Sequence, residues 1–164
     1  MKIKKITFFA IFVALSMMLS FVESQVPPLV AVPGIKMGLA NIAVVFTLYK
    51  FSFKEAAAVS ILRVLLMSLL FGNTLSMAYA LCGAMLSLIG MALLKSLTKF
   101  SSISVSVTGG VLHNIGQIIV ACFVTNTSEL VYYLPVLIIS GTLAGIVIGV
   151  VAGIIVKRFE KIKI

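Results

Sequence analysis

Long apolar runs, with charge gathered almost entirely into the short stretches between them, constrain this chain more than any other feature. A helix needs about 20 apolar residues to cross roughly 30 Å of hydrocarbon, and in lipid only a helix or a closed barrel satisfies its own backbone. Residues 6–22, 56–72, 75–94, 104–124 and 134–156 reach or approach that length, and residues 38–49 form a shorter sixth run. The composition agrees: 62% of the side chains are apolar, and 13 Lys and Arg with 4 Glu are the only charges among 164 residues. No soluble globule is built that way. The predicted fold class is an all-α, polytopic membrane bundle of six transmembrane helices, a single integral membrane domain over residues 1–164.

Positive charge sets the expected orientation. With the amino terminus inside, Lys2, Lys4, Lys5, Lys50, Lys54, Lys95, Lys99, Lys157, Arg158, Lys161 and Lys163 all fall on the cytoplasmic side and only Lys36 falls outside. That asymmetry is the positive-inside pattern, and it predicts an even number of helices with both termini cytoplasmic. It also accounts for the formal net charge of +9 without a nucleic-acid partner. Residues 1–22 have a basic start like a signal peptide but lack a small-x-small site at their end, so they are read as a retained span. Between the first two runs, Glu23 to Lys36 holds three of the four prolines. Proline lacks an amide donor and disfavours helix in the residue before it, so a loop is expected there. The short run at 38–49 is tolerable in lipid only if neighbouring helices bury it.

Polar groups inside the apolar runs mark candidate sites, because lipid penalises them. Arg63 sits eight residues past Glu55, near the expected bilayer centre, and cannot shed its charge. It requires an acid such as Glu23, backbone carbonyls, a ligand anion or water, and the sequence leaves those alternatives open. His113-Asn-Ile-Gly-Gln117 places an imidazole and two amides on overlapping helical faces, since His113 and Gln117 are four apart and Asn114 and Gln117 three apart. Interhelical hydrogen bonding and ligand binding are both compatible with that stripe. Asn41 and Asn73 fall near the outer ends of the second and third helices. Lys36, Asn41, Arg63, Asn73, His113, Asn114 and Gln117 are therefore the candidate substrate-binding residues, expected around an outward-opening cavity with a cationic centre. Ala10 and Ala14, four apart on the first helix, make a low point where a partner helix can approach. Gly141, Gly145, Gly149 and Gly153 leave a bare groove along the last helix, to which Gly83 and Gly90 are expected to supply part of the opposing surface.

Several chemistries are excluded by what is missing. The chain has no P-loop sequence, so it cannot hydrolyse nucleotide by that route. It has no Asp at all, hence no aspartate-rich magnesium site of the kind that activates a prenyl diphosphate. Cys82 and Cys122 lie inside apolar runs, away from ligand spacing, and no cofactor motif is present. An enzyme is not expected.

Four segments together carry a family resemblance: Val32-Pro-Gly-Ile-Lys-Met-Gly-Leu-Ala-Asn41; Arg63 followed by Leu70-Phe-Gly-Asn73; His113-Asn-Ile-Gly-Gln117; and Tyr132-Tyr-Leu-Pro135. In these the chain resembles the Gx transporter family, whose members are often labelled heptaprenyl diphosphate synthase component I and are similar to substrate-binding S components of energy-coupling factor (ECF) transporters. The resemblance implies a six-helix S-component fold in a bacterial cell membrane, with an outer ligand pocket capped by the first loop. It implies docking of Ala10 and Ala14 on a transmembrane coupling subunit driven by two ATPase subunits. The implied activity is capture of a small polar or anionic molecule, with quinone or isoprenoid precursors and flavin-type compounds as the candidate classes. A non-transporting membrane anchor or assembly subunit of a quinone-synthesis or electron-transfer complex is the alternative.

Overall fold

A computed structural model of the chain describes residues 2–25, 38–97 and 100–159. Within them lie six α-helices: α1 Lys2–Gln25, α2 Asn41–Lys50, α3 Phe53–Phe71, α4 Thr74–Leu97, α5 Ser102–Thr125 and α6 Leu134–Phe159, the last entered through a 3-10 turn at Ser128–Tyr133. No strand occurs among the described residues. Every apolar run is thus a helix. Four segments are long and apolar enough to cross a membrane: Ile6–Gln25, Thr74–Leu97, Ser102–Thr125 and Ser128–Phe159. The expectation of six spans meets its limit in α2, which has 10 residues, and in α3, whose 19 residues include Lys54, Glu55 and Arg63.

Local chemistry places the helix ends. Ser52 caps α3, accepting from the Lys54 amide at 3.3 Å and donating to the Glu55 carboxylate. Ser101 caps α5 by accepting from the Ser104 amide at 3.2 Å. Asn126 ends α5 in the left-handed conformation at φ 51°, and the Thr127 amide returns to the Cys122 carbonyl at 3.3 Å. That pair of features makes a Schellman-type stop with asparagine in the position usually held by glycine.

The short α2 is the buried centre of the bundle. Ala43 to Leu48 are all at most 2% exposed, and the helix packs on α1, α3 and α6. Phe12 of α1 stacks on Phe46 at 4.5 Å between ring centroids, and Phe46 meets Phe159 of α6 edge-on at 5.6 Å. Its carboxyl end is tied down by two lysines: Lys95 donates to the Leu48 carbonyl at 2.6 Å, and Lys50 donates to the Phe159 carbonyl at 2.7 Å. Ten residues rise about 15 Å, half of a hydrocarbon core of roughly 30 Å. Anchored at the basic end of the bundle, α2 therefore stops about halfway along it.

On the far side of the bundle, α5 and α6 are held by backbone contact. A Cβ placed on Gly145 would stand 2.5 Å from the Val107 Cα, one on Gly149 2.5 Å from the Ile103 Cα, and one on Gly110 2.3 Å from the Gly141 carbonyl oxygen. The α6 glycine groove is thus filled by the backbone of α5. The expectation for Gly83 and Gly90 needs correction: they face the opposite side of α5, where a Cβ on Gly83 would lie 2.8 Å from the His113 carbonyl oxygen and one on Gly90 would overlap Leu112. Seven-residue spacing put both on one face of α4, but it could not say which neighbour that face meets.

Candidate functional site

The site is built around Arg63, ten residues into α3 and so about 15 Å from its start. The side chain is only 8% exposed. Among the described residues its one side-chain hydrogen bond runs from Nη1 to the Ser20 hydroxyl of α1, at 3.4 Å, and its Nε has no partner. Glu23, one turn further along α1, is the nearby charge acting on the guanidinium and is itself 9% exposed. Its carboxylate accepts the Gly38 amide. Gly38 in turn stands at φ +74°, a conformation in which any Cβ is strained, and its carbonyl accepts from the Asn41 amide at 2.8 Å. Asn41, 9% exposed, opens α2 where that helix stops at mid-depth.

Arg63 and Asn41 are therefore gathered at one level by the ends of α1 and α2 and the middle of α3. Lys36 lies outside the described residues. On α5, Asn114 and Gln117 are buried at 4% and 9% exposure. Asn114 donates to the Leu137 carbonyl of α6 at 2.7 Å, so part of its hydrogen-bonding capacity is interhelical. His113 packs on α4, its ring against the open Cα of Gly83. Asn73 is exposed and stands apart from the others: its Oδ1 accepts the Ser76 amide at 2.8 Å, while its own amide donates to the Ser76 hydroxyl at 3.0 Å. This reciprocal cap starts α4. Sequence reasoning took Asn73 only as a candidate substrate-binding residue, although an Asn three residues before a Ser at a helix start is itself a capping pattern.

Two further orphans were not anticipated. The hydroxyls of Ser87 on α4 and Ser106 on α5 are buried and have no partner among the described residues. Serine in an apolar helix usually donates to a carbonyl one turn back, as Ser16 and Thr108 do here, so its sequence gives no signal when it does not. Two hollows open elsewhere. One of about 240 Å³ is lined by Ile115, Ile118, Ile119, Cys122, Phe123, Val131 and Leu134. The other, of about 150 Å³, lies among Phe9, Phe12, Thr47, Phe51, Glu55 and Val59. Both are mainly apolar, and neither is lined by Arg63. Ala10 and Ala14 are both exposed on α1, beside the second hollow in sequence.

A helical bundle with four spans long enough for lipid, a buried half-length helix and a buried arginine defines an integral membrane protein. Its sequence matches the family model described as heptaprenyl diphosphate synthase component I over residues 12–155, and the chain belongs to that family. No curated protein and no solved structure matches it.

Proposed function

We propose that the chain is the substrate-binding S component of an energy-coupling factor importer, taking a small polar or anionic molecule from the outer face. The observation that carries this is the incomplete satisfaction of Arg63. A buried polar donor left without a partner costs about 1–3 kcal/mol, and more on a charged group, so such a donor calls for an occupant. In this reading Arg63, with Lys36, neutralises the ligand. Asn41, Gln117 and the remaining capacity of Asn114 orient it, with His113 and Asn73 assigned supporting places. In this reading six spans with both termini cytoplasmic put α2 in the inner half of the bilayer and Arg63 near mid-depth. Ala10 and Ala14 give the coupling subunit a flat approach to α1, and two ATPase subunits reorient the bundle. Quinone or isoprenoid precursors and flavin-type compounds are the ligand classes to test.

Native purification followed by mass spectrometry of extracted small molecules tests the ligand. A bound molecule that is lost in Arg63→Ala is the expected result, and a ligand-free wild-type protein would overturn the assignment. Replacing Ala10 and Ala14 together with leucine should abolish co-purification of the coupling and ATPase subunits while retaining the ligand.

The alternative, a membrane anchor or assembly subunit of a quinone-synthesis or electron-transfer complex, is favoured by one observation. Asn114 is already committed to Leu137, as interhelical glue would be. On that reading the protein co-purifies with soluble enzyme subunits and carries no small molecule.

A further inference from the structure

The last helix serves as a ruler for the depth of each polar group. Gly38, which leads into α2, lies against α6: a Cβ there would stand 3.6 Å from the Ile148 Cδ1 and 3.2 Å from the side-chain amide nitrogen of Asn41. On the same helix a Cβ at Gly141 would stand 3.0 Å from the side-chain amide nitrogen of Asn114. Gly141 and Ile148 are seven residues apart, which is about 10 Å along an α-helix axis. Going away from the basic end, Gly149, Gly145 and Gly141 of α6 meet Ile103, Val107 and Gly110 of α5 in turn, so Gln117, three residues past Asn114, stands further out again. Asn41 and the turn that carries Asn114 and Gln117 are thus at two depths about 10 Å apart. Arg63 keeps the depth of Asn41, because its Nη1 meets Ser20, one turn before the Glu23 whose carboxylate accepts the Gly38 amide.

Each depth holds unused hydrogen-bonding capacity. At the inner one Arg63 Nε has no partner, and the buried Asn41 side chain makes no hydrogen bond among the described residues. At the outer one the Gln117 amide, only 9% exposed, likewise makes none among them. Ser16, Thr47 and Asn114 differ, donating to the carbonyls of Val13, Ala43 and Leu137 at 2.8, 2.7 and 2.7 Å. A buried amide has two N–H donors and a carbonyl oxygen to satisfy, and leaving them empty is costly. A hydrogen bond spans about 3 Å, so no compact anion reaches both depths at once. We infer that the ligand is elongated: it places an anionic group at Arg63 and Asn41 and, about 10 Å further from the basic end, an uncharged hydrogen-bonding group such as a carboxamide at Gln117. This rests on the ligand-site reading of Arg63 above and gives that ligand its length and its second end. A compact anion fills only the inner end.

The test compares three probes on the full chain in lipid nanodiscs. Succinamate is a short dicarboxylic monoamide, suberamate is its longer homologue whose extended chain matches the separation, and octanoate has that length without the amide. Binding is counted only where Arg63→Ala removes it. Suberamate should bind about fivefold more tightly than octanoate, the effect of one neutral hydrogen bond, and Gln117→Leu should abolish that advantage while leaving succinamate binding unchanged. Should Gln117→Leu fold poorly, the side-chain amide resonance of Gln117 in isotope-labelled wild-type protein answers the same question: suberamate is expected to shift it and succinamate is not. Suberamate no tighter than octanoate, or succinamate binding that weakens in Gln117→Leu, overturns the elongated ligand while the Arg63 site stands. Absence of Arg63-dependent binding by all three probes overturns the two together.

Discussion

A side-chain amide on a buried helix face can serve a neighbouring helix or a visitor, and the residues of this bundle divide along that line. Asn114 donates to the Leu137 carbonyl, and Asn73 caps α4. Asn114→Ala should lower stability in detergent by about 0.6 kcal/mol and by no more than about 1.7, the mean and the maximum for interhelical hydrogen bonds in a membrane protein, read from the unfolding midpoint. Asn73→Ala should cost about 1 kcal/mol as a lost cap, with Asn73→Asp nearly neutral. Ligand occupancy per folded molecule separates the roles: it should be unchanged in Asn73→Ala if capping is all that Asn73 does. Arg63 belongs to the other group, because nothing among the described residues takes its Nε.

At the scale of elements, α2 is a half-length helix whose position is set from outside itself. Its interior is almost wholly apolar and buried by α1, α3 and α6, its Leu48 carbonyl accepts from Lys95 of α4, and its own Lys50 donates to the Phe159 carbonyl of α6. Cations at a helix carboxyl end also oppose the helix dipole favourably. The opposite end depends on Gly38. Gly38→Ala should cost about 1–2 kcal/mol for the left-handed backbone alone, and it should also disturb Asn41, whose amide lies within 3.2 Å of the new Cβ. Circular dichroism melting gives the stability. A drop in ligand occupancy beyond the stability loss would place the start of α2 in the site.

Across the whole molecule, two packing regimes sit side by side. In α4, α5 and α6 the backbones touch through glycine, so small shifts of one helix against another meet backbone atoms at once. Around α1 the contacts are made by side chains, and much of its surface, including Ile3, Ile6, Ile11 and Met18, is exposed. Gly145→Leu should lower stability by about 1–3 kcal/mol or prevent assembly, as overpacking does, whereas Leu143→Ala, two residues away and 61% exposed, should leave the monodisperse yield unchanged. Size-exclusion chromatography of the two variants checks this.

Amino-acid order alone determined the helices, because lipid-length apolar runs have one local solution and the charges between them mark where each stops. It determined that residues 38–49 would be short and in need of cover and that Arg63 would be buried, since each follows from run length or from the cost of a charge in hydrocarbon; the single stripe expected of His113, Asn114 and Gln117 is divided, His113 meeting α4 and Asn114 meeting α6. Only the tertiary structure decided partners. Whether a glycine face meets α5 or α6, whether an amide points to Leu137 or to a vacant site, and whether Glu23 reaches Gly38 are matters of how helices are rotated and stacked. Side chains far apart in the chain settle that rotation together through close packing, and no periodicity within one helix encodes it.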